Sequence, residues 1–140
     1  MKDARTFVDT NILVYGHDSS AGQKHERAAR ILLDLWETGL GILSTQVLQE
    51  FLVTVTTRIP RPLGLDQAEE VINDLLLWNV VVNDSRAILS AIDLQRRYRY
   101  TFWDSLIIQA AMSGRAAVLL SEDLQGGQVI DSLKILNPFE

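Results

Sequence analysis

Four short, almost wholly apolar runs punctuate this chain, with stretches of helical periodicity between them. They are Thr6-Phe7-Val8, Gly41-Ile42-Leu43, Val80-Val81-Val82 and Ala117-Val118-Leu119-Leu120. A strand that is apolar on both faces must be covered on both faces, and helical crossovers on a mostly parallel sheet do this. Helices are predicted at 23–38, 45–58, 66–78, 85–98 and 104–113. A short helix or turn begins at Thr10, and a last strand lies near Leu133 to Leu136. In the second segment Ala28, Ile31, Leu32, Leu35 and Trp36 recur at helical spacing before Gly39. Asp66-Gln67-Ala68-Glu69 has capping-box form, and Pro60 and Pro62 stop the helix before it. The segment from Asp104 is apolar on nearly every side, as a buried helix must be. With 140 residues, 47% of them hydrophobic, one domain spanning 1–140 is expected.

Composition excludes several chemistries. The chain has no cysteine, so disulfides, a thiol nucleophile and a zinc–thiolate site are out. Its net charge of −5 argues against coating nucleic acid by bulk charge. The most apolar stretch, Leu75 to Val82, is too short to span a membrane and is interrupted by Asn79. Asp9 arrives before a signal-peptide apolar region could form, so a cytoplasmic location is expected.

Four acidic residues stand beside apolar runs: Asp9, Glu50, Asp104 and Asp123. A carboxylate next to a core segment is costly unless it is paired, capped or bound to a cation. Asp9 and Asp123 each follow a strand, where open α/β sheets bind ligands. Each also has a plain structural reading: Asp9 and Asp123 as loop or cap residues, Asp104 as a helix N-terminal acid, and Glu50 on a solvated helix face. Ser121, two residues before Asp123, offers a hydroxyl that orients a carboxylate. If the fold gathers the four acids, the product is an oxygen-ligand site for Mg²⁺ or Mn²⁺. His17 and His25 with Ser19 and Ser20 make no nucleophile elbow, and Gly126-Gly127 is not a Walker-type loop.

Phe7-Val8-Asp9-Thr10-Asn11-Ile12-Leu13-Val14-Tyr15 resembles the opening of PIN-domain nucleases. Leu48-Gln49-Glu50-Phe51, Phe102-Trp103-Asp104-Ser105-Leu106-Ile107 and Ser121-Glu122-Asp123-Leu124 follow in that family's order. The tail, from Gly127-Gln128-Val129-Ile130 through Asn137-Pro138-Phe139, is similar to the branch that includes VapC-type toxins of toxin–antitoxin pairs. The resemblance implies a Rossmann-like three-layer α/β/α fold and a Mg²⁺- or Mn²⁺-dependent ribonuclease leaving a 5′-phosphate and a 3′-hydroxyl. It places Asp9, Glu50, Asp104 and Asp123 at the family's acidic positions, and Asn11 and Ser121 at its polar supporting positions. On that reading Asp9, Asp104 and Asp123 would hold one or two divalent cations, directly or through water, and Glu50 would complete the shell or orient a ligand water. A small antitoxin partner and a homodimer are also implied.

Arg96-Arg97-Tyr98-Arg99-Tyr100 precedes Asp104 and mixes cations with aromatics. Arg96, Arg97 and Arg99 are candidates for RNA phosphate contacts, whereas Phe102 and Trp103 are expected to pack into the core. Glu122 adds a carboxylate whose direction the sequence leaves open. The rivals are an aspartyl-phosphate phosphatase, a Mg²⁺-binding phospho-receiver module and a catalytically silent RNA-binding PIN domain. The first wants an acid where Asn11 stands. The second wants a lysine after a late strand, which Lys134 matches poorly. The complete acidic set speaks against the third.

Overall fold

The computed structural model describes residues 3–124 and 126–140. Its sheet contains β1 (Thr6–Val8), β2 (Gly41–Ser44), β3 (Asn79–Val81), β4 (Val118–Leu120), β5 (Val129–Ile130) and β6 (Leu133–Leu136), in the order β3-β2-β1-β4-β6-β5. All neighbours run parallel except β5 and β6. Helices α1 (Thr10–His17), α2 (Gln23–Thr38) and α3 (Thr45–Thr57) pack together, with α2 and α3 on β2. Helix α6 (Phe102–Ser113) lies over β2 and β4, backed by α5 (Ser85–Tyr98), and α4 (Leu65–Leu75) packs on α3. The result is the expected α/β architecture, a mostly parallel sheet flanked by helices. Phe7, Val8, Ile42, Leu43 and Leu119 are all buried between the layers. Among the described residues, no helix is long and apolar enough to cross a membrane.

Several boundaries move for local reasons. Helix α4 starts at Leu65, and its cap is Gly64, whose N–H donates to Gln67 Oε1 at 3.1 Å. Asp66 therefore lies inside the first turn rather than at the cap. The helix ends at Leu75, short of Trp78, and β3 starts at Asn79. Helix α6 starts two residues before Asp104, because the Thr101 hydroxyl accepts the Asp104 N–H at 3.1 Å. The capping role expected of Asp104 belongs to Thr101. Strand β5 and a 3-10 turn at Ser19–Ala21 were not anticipated, since two or three residues carry no measurable periodicity.

Gly39 ends α2 as expected, in the left-handed region at φ 72° with its N–H on Leu35 O. Gly41 is required for a different reason. A Cβ there would lie 2.3 Å from Trp78 Cε3 and Cζ3. Gly41→Ala should therefore destabilise the protein by about 1–3 kcal/mol, as overpacking does. Urea denaturation checks this, and an unchanged midpoint would show that the Trp78 ring moves aside freely.

After β1 the chain moves outward to β2 and β3, then returns to place β4 on the other side of β1. The carboxyl ends of β1 and β4 thus flank a topological switch point, where sheets of this kind form their ligand crevice.

Candidate active site

Asp9 follows β1 directly and caps α1. Its Oδ1 accepts the Thr10 N–H at 2.7 Å, and its Oδ2 accepts the Ser121 hydroxyl at 2.7 Å. The side chain is almost wholly buried. Burial pushes its pKa up from 3.8 to about 6; the bonds from Ser121 and Thr10 oppose the rise, and the charges of Asp123 and Glu50 add to it.

Ser121 follows β4 and is fully buried. While its hydroxyl donates to Asp9, its Oγ accepts the N–H groups of Asp123 and Leu124, both at 3.2 Å. One hydroxyl thus ties the carboxylate after β1 to the loop after β4. Asn11 supports the same loop, its Oδ1 accepting the Glu122 N–H at 3.3 Å. That bond fixes the amide orientation and leaves the buried Asn11 Nδ2 without an acceptor.

Glu50 projects from α3 toward α1. Its Oε1 accepts the Thr10 hydroxyl at 2.6 Å, and its Oε2 receives Gln46 Nε2 at 3.4 Å. Gln46 Nε2 also lies 3.4 Å from Trp103 O, beside Asp104. Asp104 is half-buried in the first turn of α6. Its pKa is raised by burial first and then by the charges of Asp123 and Glu50, against a lowering bond from Thr101. With Thr101 as the cap, the Asp104 carboxylate is not needed to satisfy a helix N–H. Contacts of 2.6–3.4 Å thus link the segments that carry the four acids: the Asp123 N–H to Ser121, Ser121 to the Asp9 carboxylate, Asp9 through Thr10 to Glu50, and Glu50 through Gln46 to the backbone of the turn that carries Asp104.

Thr10 and Gln46 were not singled out in the sequence. The signals for them were a hydroxyl directly after Asp9 and an amide one helical turn before Glu50. Glu122 leaves the cluster: it accepts the Tyr15 hydroxyl at 2.6 Å and pairs with Lys24. Among the described residues, Asp9, Glu50, Asp104 and Asp123 have no cationic side chain in ion-pair contact. Mutually repelling oxygens without a counter-charge suit a hard divalent cation. Among the same residues, no three ligating side chains close on one point as a ready-made cage.

The basic segment before Asp104 is more varied than its sequence suggests. Arg97 lies 4.0 Å from Asp93 and 3.9 Å from Asp131, with its guanidinium over the Tyr98 ring. Arg99 is the left-handed C-cap of α5, and Arg96 is exposed. The Asp104 charge reaches the Tyr100 hydroxyl and helps raise its pKa, after burial, so the α5–α6 connection borders the acidic cluster. Phe102 packs as expected, against Ala87, Ala91 and Leu106. Trp103 does not: it is 63% exposed, because the second residue of α6 points away from the sheet that buries positions 105–111. The histidines serve structure, each Nδ1 facing a backbone carbonyl, Leu13 O for His17 and Tyr15 O for His25.

A family model described as PIN domain matches residues 6–126. Among solved structures, VapC20 of Mycobacterium tuberculosis, described as a sarcin-ricin loop cleaving toxin, is 17% identical. It aligns over 81% of this chain and 86% of its own, with a TM-score of 0.61. A toxin–antitoxin complex from Klebsiella pneumoniae is 19% identical over 96% and 98% of the two chains, with a TM-score of 0.68. VapBC2 from Rickettsia felis, bound to a DNA fragment from its promoter, is 17% identical over 93% and 96%, with a TM-score of 0.62. At these identities the likeness is one of fold. No curated protein matches the chain.

Proposed function

The chain belongs to the PIN domain family, and from that premise we propose that it is a divalent-metal-dependent endoribonuclease, the toxin of a toxin–antitoxin pair. The observation that carries this reading is the uncompensated set of Asp9, Glu50, Asp104 and Asp123 at the switch point, with the buried Asp9 pushed up to about 6. Asp9, Asp104 and Asp123 would hold Mg²⁺ or Mn²⁺, directly or through water. The bound ion would supply water activation and neutralise charge on the phosphate being cleaved. Ser121 fixes the Asp9 carboxylate, while Thr10 and Gln46 hold Glu50 at the rim. Burial keeps water from Asp9, which strengthens its hold on a cation.

The likeness to toxin–antitoxin structures supports a small antitoxin as partner. We extend the reading to a homodimer of one-domain chains acting in the cytoplasm. Arg96 and Arg99 are proposed to contact RNA phosphates beside Asp104, and the exposed Trp103 ring offers a stacking surface to an unpaired base. Arg97 joins them only by leaving Asp93 and Asp131. Reversing Arg96 and Arg99 to Glu should weaken RNA binding about tenfold at low salt. Filter binding with chelated protein measures this, and unchanged affinity would remove these residues from the substrate path.

The function is tested by incubating antitoxin-free protein with a mixed structured RNA pool in Mn²⁺ or Mg²⁺, beside a chelated sample. The expected result is metal-dependent cleavage to 5′-phosphate ends. Products with cyclic phosphates, or cleavage indifferent to chelator, would reject the metal mechanism. Stable phosphorylation of one Asp by a phosphodonor, with RNA intact, would favour the receiver reading.

A further inference from the structure

We propose that Tyr15, Lys24 and Glu122 form a clasp that positions Asp123, and that Glu122 is a positioning residue rather than a member of the cation site. The inference rests on the nuclease reading for its consequence but on separate contacts for its geometry.

Asp123 is exposed and lies outside any helix or strand. Among the described residues its carboxylate receives no hydrogen bond, and its backbone is tied only through the N–H to Ser121 Oγ. Something must define where that carboxylate stands. The adjacent Glu122 is held from three directions. Its Oε1 accepts the Tyr15 hydroxyl at 2.6 Å, its Oε2 pairs with the Lys24 ammonium, and its N–H donates to Asn11. Tyr15 and Asn11 belong to α1 and Lys24 to α2, so the loop after β4 is fastened to both helices.

The seat of this clasp is itself fixed. Lys24 Nζ lies 5.1 Å from the Tyr15 ring centroid and 5.5 Å from that of Phe139. The Tyr15 and Phe139 rings meet edge to face at 5.4 Å and 89°. Arg27 Nε donates to Pro138 O and anchors the same tail to α2. An exposed ion pair alone contributes little. Here the pair is one of two bonds on a single side chain, the same residue's backbone N–H makes a third, and aromatic packing limits how far the cation can swing. Glu122 is also a fifth carboxylate beside four that repel one another. Drawing it to Lys24 keeps its charge out of the centre and turns it into an anchor.

The test compares wild type with the Tyr15→Phe/Lys24→Met double variant, which keeps both stems, and with Lys24→Arg, which keeps the cation. Two readouts are needed: hydrogen exchange of the amides at 122–124 in chelated protein, and the Mn²⁺ midpoint from the free-ion EPR signal. The double variant should exchange faster at those amides alone and raise the Mn²⁺ midpoint about tenfold, the scale for residues that orient metal ligands. Its cleavage rate at saturating Mn²⁺ should stay within about twofold of wild type, and Lys24→Arg should behave as wild type. Unchanged exchange and midpoint would overturn the clasp. So would faster exchange throughout the chain with a lower melting temperature, which would make the cluster general packing. Wild-type protein that takes up no Mn²⁺ would sink the nuclease reading instead, and the exchange comparison alone would then decide the clasp.

Discussion

Asp9→Asn should abolish RNA cleavage, by about three orders of magnitude or more, while making the metal-free protein more stable at neutral pH. The two effects have one cause. Asp9 is a buried carboxylate whose pKa rises from 3.8 to about 6 on folding. Between those values the folded chain binds the proton that the unfolded chain has lost. Stability therefore falls as pH rises through that window, and the full cost is present above it. A rise of this size corresponds to roughly 3 kcal/mol. The neutral amide removes that cost. It gives back part of the gain because its NH₂ would face Ser121 Oγ, which already accepts two N–H groups and donates to Asp9. A net stabilisation of about 1–2 kcal/mol is expected near neutral pH, or a few degrees in melting temperature. Melts in chelator across pH 4 to 7.5 should show the variant's advantage growing with pH. An advantage of constant size would mean that the Asp9 charge is not the source. Added Mn²⁺ should stabilise wild type far more than the variant.

Ser121→Ala should lower both stability and metal affinity. The hydroxyl is buried and serves Asp9, Asp123 and Leu124 together. Without it two backbone N–H groups and one carboxylate oxygen lose a partner in a site that water does not reach freely. Each such loss costs about 1–3 kcal/mol when nothing replaces it. Some relaxation of the exposed loop limits the total to about 2–3 kcal/mol. Asp9 and Asp123 would lose their common reference, and Mn²⁺ affinity should fall about 10- to 100-fold. Urea denaturation in chelator reads the first effect and a Mn²⁺ titration reads the second. A stable variant with unchanged Mn²⁺ affinity would show that Asp9 and Asp123 are positioned by other means.

Much of the scaffold was legible because burial and periodicity agree. The stripe from Ala28 to Leu35 gave α2 its bounds, with Gly39 closing it, and the apolar runs marked four strands of a mostly parallel sheet. Capping was less legible, since several polar residues near a helix start compete for one role. Thr101 took the role expected of Asp104, and Gly64 with Gln67 displaced Asp66. Residues that act through their neighbours were the hardest to see. Thr10 and Gln46 have meaning only once α1, α3 and α6 converge on one edge. Trp103 looked like core because it is aromatic in an apolar run, but its helical angle decides its exposure. The direction of Glu122 depends on Lys24, which lies 98 positions away in the chain.

The central claim is that Asp9, Asp104 and Asp123 share one divalent cation. The most direct test is a crystal of the protein grown with Mn²⁺ and measured at the manganese absorption edge. An anomalous peak is expected at the carboxyl ends of β1 and β4, within ligand or water-bridged reach of all three carboxylates, and absent from Asp9→Asn crystals. A peak elsewhere, or none at that edge with Mn²⁺ bound in solution, would contradict the account.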